Sequence, residues 1–197
     1  MSKLKENKKR SHFFSGKLSY LRGIEPDDYN QIAEWVNDPK FNEFLYQGWK
    51  PVDAQMVQEQ FEEERQKEGA IQFAQCLIST DEMLGWCGLY KWEKIAHSSE
   101  IRSFVGPQHW GGGYGTEQHA MLVKIGFDRY NMNRIWLGTH QDNKGILRIY
   151  EKLGFTKEGV LRQEQFRRGK YFDAYRYAIL KQEYNEKVKK LCESCLI

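Results

Sequence analysis

The chain has no apolar run near the length needed to cross a bilayer, and its N-terminus lacks the apolar region of a secretory signal. No membrane partner is expected, and the expected compartment is the cytoplasm. Charge of one sign is also scarce. The net charge is +3 and the pI near 8.5, and Lys3, Lys5, Lys8, Lys9 and Arg10 carry much of that excess. The rest of the chain is close to neutral, and a short basic run of this kind reads as a solvated arm rather than a nucleic-acid surface. Cysteine is sparse too. Cys76 and Cys87 fall in strand-like runs and read as buried thiols. Cys192 and Cys195 form a Cys-x-x-Cys pair at the very end, without the second pair or paired histidines that a zinc site requires. Neither metal nor redox chemistry is expected there; frayed terminal thiols are. Repeats and low-complexity segments are absent.

What is present suffices for a real core: 197 residues, 40% hydrophobic and 14% aromatic, which argues against disorder. The expected organisation is a basic flexible arm over 1–14, one domain over 15–190 and a C-terminal tail over 191–197. Along the domain, Lys17–Arg22 alternates as a strand. Pro26, Asp27 and Asp28 then open a helix whose inner face is Tyr29, Ile32, Ala33 and Val36, and Pro39 stops it. An aromatic, irregular stretch follows with Phe41, Phe44, Tyr46 and Trp49. A second helix runs from about Asp53 to Gly69 and carries the acidic Glu62–Glu64. Ile71–Ile78, Met83–Trp92 and Ser98–Val105 read as a three-strand meander. After the next helix come a strand over Arg134–Thr139 and a helix capped by Asn143 and closed by Gly154. A final hairpin, Thr156–Leu161 with Tyr171–Leu180, turns at Arg168–Gly169, and a polar helix trails to the end. The strand before the glycine-rich stretch must run parallel to the one after its helix. The expected fold is therefore α/β (α+β): a mixed, mostly antiparallel central sheet of about seven strands with helices on both faces.

The organising stretch is Gly106-Pro-Gln-His-Trp-Gly-Gly-Gly-Tyr-Gly-Thr-Glu117, between a strand and a helix that runs to about Phe127. Gly111, Gly112, Gly113 and Gly115 leave backbone almost free of Cβ atoms at a helix N-terminus, where unpaired N–H groups and the positive end of the dipole suit a phosphate or pyrophosphate. A Walker A loop is excluded because Thr116 and Glu117, not lysine, follow the last glycine. The Rossmann Gly-x-Gly-x-x-Gly fails as well: its last position falls on Thr116 or Gln118.

Three motifs in order, Trp110-Gly-Gly-Gly-Tyr-Gly-Thr-Glu117, Asn143 followed by Tyr150-x-x-Leu-Gly-Phe155, and Glu158-Gly159, resemble the GNAT superfamily of acetyl-CoA-dependent N-acetyltransferases. Leu21-Arg22 and Glu34-Trp35-Val36-Asn37-Asp38 narrow the likeness to the branch of ribosomal-protein alanine and spermidine acetyltransferases, over about residues 17 to 184. The resemblance implies acetyl transfer from acetyl-CoA to a primary amine, a protein N-terminus or a polyamine among them, in a ternary complex without metal. It does not exclude a homodimer. Trp110 stands where the family pattern has Gln or Arg, so the phosphates would rest on backbone N–H groups from Gly111 to Thr116, including Tyr114 and Gly115. The family further implies an oxyanion-binding N–H near Phe104 or Val105, contact of Asn143 with the cofactor arm, and the Tyr150 hydroxyl beside the sulfur.

By periodicity alone Tyr150 is a core tyrosine and Asn143 a helix cap. Glu100 is the expected general base, with His97, His109 and His140 as runners-up. Trp35, Tyr46 and Glu100 are expected at the acceptor, where aromatics and acids could hold a cation; the plainer reading makes the aromatics core and the acids a solvated face. Two other classes remain open. A non-catalytic acyl-CoA-binding regulatory module would keep the loop but release no thiol. A phosphotransferase would need the missing lysine.

Overall fold

A computed structural model of the chain describes residues 11–43, 45, 50–184, 186–194 and 196. Eight strands form one sheet: β1 (Phe14–Ser15), β2 (Ser19–Gly23), β3 (Ile71–Leu77), β4 (Met83–Glu93), β5 (Ser98–Val105), β6 (Arg134–His140), β7 (Thr156–Arg167) and β8 (Lys170–Leu180). Their spatial order is β1-β2-β3-β4-β5-β6-β8-β7. Every neighbouring pair is antiparallel except β5 and β6, which run parallel. The expected sheet is thus present with one strand more: two residues of β1 pair with Tyr20 and Leu21 of β2.

The helices are α1 (Asp28–Asn37), α2 (Pro39–Asn42), α3 (Ala54–Glu68), α4 (Tyr114–Lys124), α5 (Lys144–Lys152) and α6 (Glu186–Ser194). Local chemistry sets most of their ends. The Asp53 carboxylate accepts the Met56 N–H at 2.8 Å to start α3, and Gly69 closes it at φ 62°. Asn143 starts α5 by accepting the Ile146 N–H at 3.3 Å, and Gly154 follows that helix at φ 79°. Pro39 does more than stop α1. Asp38 accepts the Lys40 N–H at 2.8 Å, so the proline becomes the first residue of α2. Beyond Lys124, α4 passes into a π-helical turn over Ile125–Arg129.

The sheet buries apolar side chains on both faces. Met121, Leu122 and Ile125 from α4 and its extension pack on Leu89, Ile101, Ile135, Leu137 and Ile179. On the other face Tyr29 and Ile32 of α1 and Val57 and Phe61 of α3 cover Trp86. Trp35 joins this second cluster, stacked on Trp86 with ring centroids 6.2 Å apart. The packed unit reaches past the expected 15–190 span at both ends. His12 stacks on Tyr20 and Phe13 on Phe73, while Cys192 and Leu196 are buried in the main core. Cys192 is therefore a core thiol rather than a frayed one; Cys195 lies outside the described residues.

Glu117 explains how an acid can follow the glycine-rich stretch. Its carboxylate, 3% exposed, accepts the backbone N–H groups of Lys17, Leu18 and Ser19 and the Ser19 hydroxyl. It points away from the loop and ties the start of α4 to the start of β2. A Cβ on Gly16 would come within 2.4 Å of that carboxyl group, so the approach is open only to glycine.

Candidate active site

β5 and β6 pair for only three residues, from Ser98 with Arg134 to Glu100 with Trp136. Beyond that point they diverge, and a cavity of about 690 Å³ opens at the gap. Its walls are Ser103–Val105 at the end of β5, the loop and first turn of α4, the α5 segment from Asp142 onward, and Phe41 and Leu45 at the far end.

At the near end, Gly111 and Gly113 adopt φ 85° and 84°, a left-handed backbone that side chains with a Cβ rarely take. This winds the chain so that α4 begins at Tyr114 directly beneath the loop. Gly113 accepts the Glu117 N–H at 3.1 Å. Among the described residues, the N–H groups of Gly111, Gly112, Gly113, Tyr114, Gly115 and Thr116 donate to no protein acceptor. Unpaired backbone donors at a helix N-terminus form an anion site by themselves. The Trp110 indole N–H donates to the Val105 carbonyl at 2.7 Å, pinning the loop to β5. Its ring remains half exposed on the cavity wall.

The second wall adds charge. The α5 N-terminus also opens on the cavity, and Lys144, Arg148 and Lys152 at i, i+4 and i+8 place three cations along it. Asp142 is the one acid among the lining residues. The cationic triad was readable from its spacing but is absent from the sequence-based expectations, as is Ser103 as a wall residue; Phe41, one of the aromatics expected near the acceptor, does line the cavity. Ser103 donates to the Gln118 side chain at 2.5 Å and lies 3.4 Å from His119 Nδ1. His119 in turn donates from Nδ1 to the Gly115 carbonyl at 2.8 Å, and burial pushes its pKa from the ordinary 6.5 down to about 4. The helix that presents the loop amides thus rests on a neutral imidazole.

Of the expected site residues, the cavity gathers Phe104, Val105, Trp110, Gly111, Gly113, Tyr114, Gly115, Thr116 and Asn143. Gly112 lies within the same loop. Tyr150 is buried rather than in the wall, its ring packed with those of Tyr177, His119 and Phe155 at 5.2, 5.7 and 5.7 Å. Of the runner-up histidines only His109 lines the cavity, with Nε2 3.5 Å from a Glu82 carboxylate oxygen.

Two expected residues are placed elsewhere. Glu100 is held by Arg102 at 2.9 Å and Lys91 at 3.3 Å and does not line the cavity. Trp35 is 4% exposed, buried against Trp86 and Gly106 with its indole N–H on Gln108 at 3.1 Å. It is core, not acceptor wall. Tyr46, with Phe44 and Trp49, lies outside the described residues. The acidic run does not face the cavity either. Glu64 joins Arg102 and Gln72, while Glu62 and Glu63 bond Gln58 and Lys67 on the exposed side of α3.

A diverging parallel strand pair thus brings loop amides and two helix N-termini together at the split. Residues 20–156 match the family described as Acetyltransferase (GNAT) domain. The chain belongs to the GNAT acetyltransferase family and is an acetyl-transferring enzyme. It is 29% identical over 166 residues to the N-acetyltransferase p20 of Bacillus licheniformis, covering 83% of this chain and 93% of that one. It is 29% identical over 103 residues to the spermidine N(1)-acetyltransferase of Escherichia coli K12, 52% of this chain and 55% of the other. The fold matches that of the spermidine N-acetyltransferase from Vibrio cholerae, solved in complex with CoA and spermine, with TM-score 0.78. That likeness carries 23% identity over 85% of this chain and 98% of the other. No helix among the described residues is long and apolar enough to cross a membrane, and no group of His, Cys, Asp and Glu among them could hold a metal ion.

Proposed function

We propose that the chain transfers the acetyl group of acetyl-CoA to a primary amine by direct attack in a ternary complex. The observation that carries this reading is the row of six backbone N–H groups, Gly111 to Thr116, with no acceptor among the described residues. Five of these residues, all but Gly112, line a cavity also lined by Lys144, Arg148 and Lys152. A diphosphate satisfies all of these groups at once, and charge-assisted bonds to it are the strong kind. From there the pantetheine arm would follow the free edge of β5 past Val105 and Phe104, where no strand pairs on the β6 side, and end near Asn143.

In the reaction the neutral amine nitrogen bonds to the thioester carbonyl carbon. The C–S bond breaks, the sulfur leaves as thiolate and takes a proton, and the nitrogen loses one. Backbone N–H donors near Phe104 or Val105 would hold the developing oxyanion. The Tyr150 hydroxyl is assigned to the departing sulfur by the family register. The acceptor is drawn from protein N-terminal amines, polyamines and other small amines.

The test is thiol release from acetyl-CoA across a panel of amines. Release that depends on an amine supports transfer. Tight acetyl-CoA binding with no release by any amine would instead identify the non-catalytic regulatory module.

A further inference from the structure

Three described residues of the cavity wall carry a hydroxyl: Tyr114 and Thr116 in the first turn of α4, and Ser103 on β5. Ser103 is the innermost β5 residue of that wall, two positions from Val105 toward the point where β5 and β6 pair at Glu100 and Trp136. An arm that enters at the glycines and follows the strand edge past Val105 and Phe104 therefore ends level with Ser103 on the β5 side. Side chains alternate across a strand. Phe104 points to the face covered by α1 and α3, where its ring stacks on that of Trp86 at 4.5 Å. Ser103 points to the opposite face, against Gln118 and His119 of α4. Tyr150 is on that face too, its ring 5.7 Å from the His119 ring.

The surroundings of Ser103 place its proton. The buried Gln118 side chain directs its amide nitrogen at the carbonyls of Trp86 and Phe104, both at 3.4 Å. Its oxygen is therefore the atom that meets Ser103 at 2.5 Å, and the hydroxyl is the donor. His119 Nδ1, 3.4 Å from Ser103 Oγ, is engaged with the Gly115 carbonyl. At rest the Ser103 proton thus serves a neutral amide oxygen. A thiolate formed within reach is a better acceptor, because hydrogen bonds to a charged partner are about twice as strong as those between neutral groups. A donor that exchanges the first partner for the second binds the transition state more tightly than the ground state, which is the condition for accelerating the step.

We propose that the Ser103 hydroxyl turns from Gln118 to the departing sulfur and shares the nascent thiolate with Tyr150. This rests on the acetyl-transfer reading above and adds a catalytic residue to it. As the C–S bond breaks, its electron pair stays on sulfur. Ser103 donates a hydrogen bond there and keeps its own proton; the proton that ends on sulfur is balanced by the one the amine nitrogen loses. The hydroxyl returns to Gln118 when the thiol leaves.

The test uses the full chain in excess over acetyl-CoA, with whichever of spermidine, n-butylamine and a tripeptide amide releases thiol fastest. The single-turnover rate should fall about tenfold in Ser103→Ala, while acetyl-CoA affinity and the half-saturating amine concentration stay within about twofold. Ser103→Thr, which keeps a hydroxyl, should recover most of the rate. The second readout is the acidity of the thiol in bound CoA, followed by thiolate absorbance against the complex with desulfo-CoA. Its pKa should lie about one unit higher in Ser103→Ala than in wild type, a tenfold change. Lys144, Arg148, Lys152, Asp142 and His109 also line the cavity but are common to both proteins, so the difference belongs to Ser103. An unchanged rate or an unchanged thiol pKa in folded Ser103→Ala overturns the proposal. A loss confined to acetyl-CoA affinity puts the hydroxyl on the pantetheine arm, and one confined to the amine puts it on the acceptor; either overturns it. In the wild type, a bound thiol no more acidic than that of free CoA overturns it even if no variant folds. No release with any amine, in a preparation that binds acetyl-CoA, brings down the acetyl-transfer reading and this proposal with it, whereas release without the thiol shift brings down this proposal alone.

Discussion

At the glycine end of the cavity the ligand-facing atoms are main-chain amides of six consecutive residues. At the Phe41–Leu45 end the wall is made of side chains, from the short helix α2 and the chain just after it. The first site is fixed by one backbone path, φ 85° at Gly111 and 84° at Gly113, and by the helix start that follows. The second depends on tertiary packing, since Phe41 is held there by the rings of Trp86 and Phe104, 5.6 and 6.0 Å away and far along the chain. A site made of amides recognises any ligand of the right charge and shape. A site made of side chains can be retuned one residue at a time. This division fits a common donor and a variable acceptor.

The largest effect that would sharpen the contrast is expected at the main-chain end. Gly113→Val forces a β-branched residue to φ 84° and misaims several charge-assisted bonds. Acetyl-CoA affinity should fall about 1,000-fold by calorimetry, on the scale of about 4 kcal/mol. The melting temperature should fall by only several degrees, the cost of the strained φ, because a Cβ there meets nothing within 4 Å. Retained affinity would mean that the loop does not hold the diphosphate.

Tyr150→Phe comes next and separates chemistry from binding. It keeps the ring packed among His119, Phe155 and Tyr177 and removes only the hydroxyl. Turnover should fall about 100-fold with acetyl-CoA affinity within about twofold. Unchanged turnover would leave Tyr150 as an ordinary core residue.

A third effect lies beneath the loop. His119 titrates near its ordinary 6.5 when unfolded and at about 4 when folded, so the folded form resists its protonation. Its contribution to stability is flat above about pH 6.5 and falls by ~1.4 kcal/mol per pH unit from there down to about pH 4. Urea melts across that range should show a shallower slope for His119→Gln than for wild type. Equal slopes would contradict a neutral, buried imidazole under α4.

The smallest effect belongs to the α5 cations. Arg148→Gln should weaken acetyl-CoA about threefold to tenfold at low ionic strength and less in high salt, because this exposed charge is screened. A loss that ignores salt would argue for a direct, desolvated contact instead.

These two ends also differ in how legible they were. The glycine loop, the Asn143 cap and Gly154 depend on neighbours within a few residues, and their conformations follow from residue type. The meander, the parallel β5–β6 pair and the final hairpin followed from crossovers and turns, while the insertion of β8 between β6 and β7 did not. The acceptor end did not follow. Trp35 looked like a cation-binding aromatic until the β3–β4 hairpin brought Trp86 against it. Glu100 looked like a free carboxylate until Arg102 and Lys91 were placed beside it. Both placements arise from tertiary contacts that no short window of sequence contains.

The central claim is that the amides of Gly111 to Thr116 bind the diphosphate. It is tested most directly by titrating isotope-labelled protein with acetyl-CoA and following backbone amide resonances by NMR. The expected result is a downfield proton shift for the amides of Gly111, Gly112, Gly113, Tyr114, Gly115 and Thr116, reproduced by CoA and lost with acetyl-pantetheine, which lacks the diphosphate. Saturation with acetyl-CoA while those six resonances stay in place would contradict it.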